Sequence, residues 1–223
     1  MRLTHRWHRR RAALRPGQRR HGGATLVEFA LTLTLGVLPL VLGILQVAAL
    51  LVARNNLNLA AFMAAREGTV SGADPAAMRR ELARSLVPLY VRVARDGNVP
   101  STDVAVAYAA ALADVTALDG LAVLAPTRAA LDRVGFSRRG RRVIPNDSIQ
   151  FRSPEVQAAN VLTIEVTHCQ PLVVPLAGPA LAAVLAALDS DPRHRRCLAV
   201  GRAPIAARAS MVMQSDVHAD GLR

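Results

Sequence analysis

The sequence predicts an α+β fold: a single N-terminal transmembrane helix extending into a small periplasmic domain with a short antiparallel sheet. Three observations predict it. Residues 29–53 are 25 positions without a charge. Eight Arg and no acid stand just ahead of them, within residues 1–21. Beyond them, helix-like spacing of apolar residues gives way to a period-two run at 161–168, with a candidate partner strand at 205–213.

The charge-free run comes first. As an α-helix, 25 residues span roughly 37 Å, against about 30 Å of hydrocarbon. Thr32, Thr34 and Gln46 are the polar side chains within it, and Pro39, three residues after Gly36, is expected to kink it. The Arg-rich leader sets the orientation, because positive residues beside a span stay on the cytoplasmic side. Residues 1–23 are then a basic cytoplasmic leader and 24–53 the inner-membrane span. Residues 54–223 form a domain on the far side, the periplasm of a two-membrane bacterium. The run is too long for a secretory signal peptide, whose apolar stretch is roughly 7–15 residues. It lacks the Cys that a lipoprotein signal needs, the first being Cys169.

Composition narrows the function classes. All 28 basic residues are Arg, and the leader supplies eight of the net +12. Aromatic residues make up 3% of the chain, too few for the stacking platforms of a single-strand nucleic-acid binder. Two Cys are too few for a disulfide-dense scaffold or a four-Cys zinc site. There is no Gly-x-Ser-x-Gly elbow, no His-Glu-x-x-His, no phosphate-cradling Gly loop and no Cys-x-x-Cys. Glu165 and His168 flank Cys169, but a strand puts them on opposite faces. No enzyme activity, metal, cofactor, small-molecule substrate or nucleic acid is expected.

The outer domain reads element by element. Past Arg54 the first helix continues on a stripe through Leu57, Ala60 and Ala64, with Gly68 as the expected cap. Asp74-Pro75 opens a helix to about Arg95, lined by Met78, Leu82, Leu86 and Leu89 and bent at Pro88; a turn follows at 97–100. Residues 103–118 read as an Ala-rich helix and 121–124 as a short strand. A helix capped by Thr127 ends at Gly135. Arg138, Arg139, Arg141 and Arg142 around Gly140 read as a solvated basic loop. Residues 171–188 together are as long as a second span. Three Pro and Gly178 break that stretch into a strand or loop plus a short apolar helix from 180 to 188. Cys169 ends the first strand and Cys197 precedes the second. In an oxidising compartment they either form a disulfide or remain two buried thiols.

The junction before the span reads Arg19-Arg20-His21-Gly22-Gly23-Ala24-Thr25-Leu26-Val27-Glu28-Phe29. A basic leader ends in Gly; four residues follow, then an acid, an aromatic and the apolar run. This resembles the processing site of Flp/Tad-class type IV prepilins. Weaker blocks farther on, such as Ile144-Pro145-Asn146-Asp147 and Ala209-Ser210-Met211-Val212-Met213, are similar to those of TadE/TadG-family pilus-assembly proteins. The resemblance implies a minor pilin-like protein, or pseudopilin, serving Flp/Tad pili and surface adhesion. A prepilin peptidase would cut between Gly23 and Ala24, making Glu28 the fifth mature residue, with Phe29 beside it. Glu28 would then pair with the Ala24 amine of a neighbouring subunit. The implied partners are other pilins or pseudopilins and Tad platform proteins. The alternative is an uncleaved, single-span periplasmic adaptor of the Tad secretion machinery.

Overall fold

The computed structural model describes residues 24–91, 98–146, 153–219 and 222. The basic leader with Gly23, the turn residue Gly97 and Asp147 of the family-like block lie outside those residues. The chain divides into two units, Met1–Leu40 and Val41–Arg223.

In the first unit, α1 (Ala24–Leu31) passes through a π-helical segment (Thr32–Val37) into α2 (Leu38–Val70). Pro39 explains the wide turn. It has no N–H to donate to the carbonyl four residues back, so the ladder adjusts just before it. Leu38 N–H donates to the Leu33 carbonyl, five residues back. At Pro39, where a kink is expected, the helix stays continuous and carries a π segment just ahead of the proline. The Thr32 and Thr34 hydroxyls turn back onto the helix, donating to the carbonyls of Glu28 (2.8 Å) and Ala30 (2.7 Å). Neither leaves a bare donor on the apolar surface.

In the second unit, the rest of α2 buries one face: Gln46, Ala53, Leu57, Ala60, Ala61, Ala64, Ala65, Gly68 and Thr69. The three-and-four spacing makes one stripe, and its small residues let neighbouring elements approach closely. α3 (Pro75–Tyr90) starts where expected. The Asp74 carboxylate accepts from the N–H groups of Ala76 and Ala77, which the first turn would leave unpaired. α3 contributes Met78, Leu82 and Leu86 to the core, and α4 (Ser101–Ala117) contributes Ala111 and Val115.

The central sheet orders β1 (Leu121–Ala125), β4 (Val161–Pro171) and β5 (Arg202–Val212), all antiparallel. β4 is the middle strand, with Ile164 opposite Ala209 and Leu121 opposite Val166. Its period-two pattern sends Leu162, Ile164 and Val166 into the core with no exposure. Thr127 caps α5 (Arg128–Val134), accepting from Ala130 N–H.

Three expectations are corrected. Gly68 does not cap α2, which runs on to Val70. A Cβ at position 68 would lie 2.5 Å from Met78 Sδ and 2.6 Å from Leu162 Cδ2, so the glycine is there for close packing. The basic loop is a hairpin: β2 (Phe136–Arg138) and β3 (Arg141–Ile144) are joined by Arg139-Gly140, both at positive φ. A two-residue turn of this kind needs positive φ twice, and Gly140 supplies only one position freely. β3 also pairs with β6 (Val217–His218) to complete a second small sheet. Finally, α3 ends at Tyr90, short of the end expected near Arg95, because Val91 is already extended (φ −67°, ψ 134°). Cys197 lies within α8 (Pro192–Ala199), ahead of β5 as expected. α6 (Pro154–Ala159) and α7 (Ala177–Leu188) complete the order.

The Gly68 contact gives a first test. Gly68→Leu should lower the thermal midpoint of the detergent-solubilised chain. Overpacking costs roughly 1–3 kcal/mol and outweighs the ~0.5–1 kcal/mol helix-propensity gain over Gly. An unchanged midpoint would mean that Met78 and Leu162 make room without loss.

Candidate functional site

The motif residues lie on α1. Ala24 is its first residue, and Glu28 follows four positions later, about 6 Å along the axis. Residues 25–41 are all exposed. Leu26, Val27, Phe29, Leu31 and Leu33 thus form an apolar surface around the Glu28 carboxylate, Phe29 being 68% exposed. The helix from Thr25 to Val70 is long and apolar enough to cross a membrane, and only 6% of its most apolar stretch is buried. A core helix of a soluble protein would bury most of that stretch. An acid so placed, one turn from a helix N-terminus, is favoured by the helix dipole. Within a membrane it is costly without a partner, about 2–3 kcal/mol at the bilayer centre and less near the edge. The arrangement therefore presents a single exposed acid on an apolar helix surface.

The other sequence-marked residues separate into structural roles. Cys169 and Cys197 are bonded to each other, 28 residues apart, and both are buried. Neither Cys is therefore a free thiol. Glu165 and His168 are not brought together. Glu165 Oε2 accepts from Arg208 Nε at 2.6 Å, whereas the His168 ring meets Tyr90 edge-on with centroids 5.8 Å apart. Among the described residues, no group of three or more His, Cys, Asp or Glu side chains is placed to hold a metal ion.

Sequence reasoning missed a polar clamp beside the disulfide. Asp114 on α4 accepts from Tyr90 Oη (2.7 Å) and from Arg202 Nη1 (3.0 Å), tying α3, α4 and β5 together. Burial, aided by the Asp114 carboxylate, pushes the Tyr90 phenol well above its usual range. Burial also lowers the His168 imidazole below the ordinary histidine value, with the Asp114 charge partly opposing it and Arg202 adding to it. No sequence motif marks this clamp, because its members lie up to 112 positions apart, from Tyr90 to Arg202.

The lowered His168 value has a consequence for stability. The unfolded chain takes up this proton near pH 6.5, before the folded one does. Stability contributed by neutral His168 is therefore intact above that pH. It is lost progressively as pH falls from about 6.5 toward the lower folded value. His168→Phe keeps a ring against Tyr90 and removes the titration. Its thermal midpoint should fall less than that of the native chain between pH 7.5 and 5; equal falls would contradict the assignment.

The chain is thus an α+β protein in which one long apolar N-terminal helix, exposed over residues 25–41, is followed by a domain of helices and two small sheets, consistent with a single-pass membrane protein. Residues 23–66 match the family model described as TadE-like protein. That segment, from Gly23 through α1 and most of α2, is TadE-like, in line with the TadE/TadG resemblance, and suggests involvement in Tad pilus assembly. Neither a search of curated proteins nor one of solved structures found a match.

Proposed function

We propose that the chain is a minor pilin-like protein of Flp/Tad pilus biogenesis and surface adhesion, working by assembly rather than catalysis. It inserts in the inner membrane with its Arg-rich N-terminus in the cytoplasm and its C-terminal domain in the periplasm. A prepilin peptidase cuts after Gly23, and the freed Ala24 amine of one subunit pairs with Glu28 of the next. Phe29 and the neighbouring leucines pack the seam around that pair. Other pilin-like subunits and Tad platform proteins are its partners.

One observation carries this reading: a Gly-x4-Glu-Phe motif stands at the mouth of the long exposed helix, and the TadE-like match begins at its glycine. The exposed α1 surface supports it, since an assembly helix must offer its apolar face to neighbours rather than to its own chain. The test is deletion of the chain in its native host, followed by recovery of sheared pili. The reading expects pili and surface attachment to be lost and both to return with the intact chain. Pili assembled at the normal level without it would overturn the proposal.

A further inference from the structure

We infer that α7 and the turn leading into it enter the membrane beside α2, in the leaflet nearer the C-terminal domain. The inference rests on the N-terminal helix crossing a membrane, and adds a second lipid-embedded element to it.

Gln46 supplies the first observation. It stands inside the charge-free run of residues 29–53, seven positions before its end. Yet it is 1% exposed, and its Oε1 accepts from Val174 N–H at 3.0 Å. If residues 29–53 lie in hydrocarbon, this bond places Val174 about 12 Å below the first charge, Arg54. The backbone around Val174 is neither helix nor strand. Such backbone is tolerated at membrane depth only when protein groups satisfy it. Gln46 does this for the Val174 N–H, and the loop in turn gives the Gln46 carbonyl a partner.

The character of α7 is the second observation. Its twelve residues, Ala177–Leu188, hold only Ala, Gly, Pro, Leu and Val. A helix on a water-facing domain surface has a polar side; one that is apolar all round is buried or lies in lipid. Among its residues Gly178 alone is buried. Leu188 is 79% exposed and Leu176, just ahead of the helix, 70%. Leu176 makes the tight turn into α7 at φ 64° and ψ −51°, with Ala177 N–H donating to the Pro175 carbonyl at 2.7 Å. Side-chain-bearing residues rarely adopt that conformation, and here it accompanies an exposed leucine two positions after Val174.

The charge pattern sets the limits of the element. Residues 171–188 hold no charge, and Asp189, Asp191 and His194 follow at once. Asp191 and His194 line the same cleft as Arg54, the residue that ends the charge-free run of α2. The chain therefore leaves α2 at Gln46 depth and returns to the level of Arg54. At about 18 Å, α7 is too short to span ~30 Å of hydrocarbon, so it enters and lies within one leaflet.

The test reconstitutes the full chain, with its only tryptophan removed as Trp7→Phe, in phosphatidylcholine vesicles with and without brominated acyl chains. Single tryptophans are introduced at exposed sites: Val184→Trp and Leu188→Trp on α7, Leu40→Trp on the N-terminal helix, and Phe136→Trp on β2. The expected result is that brominated lipid quenches both α7 positions as well as Leu40→Trp, Leu188→Trp the least of the three, and leaves Phe136→Trp unquenched. Quenching of the α7 positions by aqueous iodide instead would overturn the inference. Shielding from both quenchers would also overturn it, in favour of a protein occupant. If Leu40→Trp escapes the lipid quencher too, the membrane span itself fails and the inference falls with it.

Discussion

Removing the Cys169–Cys197 bond should lower the stability of the C-terminal domain by about 3–4 kcal/mol. The bond joins the end of β4 to α8 across 28 positions, and a loop of that length has that much closure entropy to restrict in the unfolded chain. For a chain of this size the thermal midpoint should fall by about 10 °C. The Cys169→Ala, Cys197→Ala double variant and the reduced native chain should agree, and reductant should leave the double variant unchanged. The loop closed by the bond contains α7, so the same variant should make the segment between β4 and β5 the first to yield to protease. A midpoint shift under 2 °C would show that the sheet and the Asp114 clamp hold this region unaided.

Glu28→Gln should reduce copurification of pilus partners about tenfold, which corresponds to about 1.4 kcal/mol of lost pairing. Gln keeps the size and hydrogen-bonding reach of Glu and removes only the charge, so it isolates the ion pair. Because Glu28 is exposed on α1, the variant should keep the thermal midpoint of the native chain. Copurification equal to that of the native chain would remove Glu28 from the assembly account, while leaving the membrane span in place.

What could be read from the sequence was governed by local physics. The charge-free run, the Asp74-Pro75 start of α3, the Thr127 cap of α5 and the alternation of β4 each depend on neighbours within a few residues, and each lies where expected. Two short helices were legible but missed. Ser153-Pro154 and Asp191-Pro192 carry the same polar-residue-then-Pro signal as Asp74-Pro75, and they open α6 and α8. The β2–β3 hairpin was hidden for a different reason. Four arginines around Gly140 satisfy the pattern of a solvated loop, and pairing with the two-residue β6 is decided 75 positions later, where Val143 meets His218. Gly68 was misread because a glycine near a helix end signals a cap, whereas its reason lies across the core at Met78 and Leu162. The segment around Glu28 is contiguous, so its pattern can be read directly, and the TadE-like match covers it. The partner of Gln46 was not, since Val174 is 128 positions away.

The central claim is that a peptidase releases the chain at Ala24 so that α1 can assemble through Glu28. The most direct measurement is the N-terminal sequence and intact mass of the membrane-extracted protein, expressed with its own prepilin peptidase and without it. The account predicts a chain beginning at Ala24 when the peptidase is present and at Met1 when it is absent. A chain beginning at Met1 in both preparations would contradict it, and would leave an uncleaved membrane-anchored adaptor that keeps its basic tail.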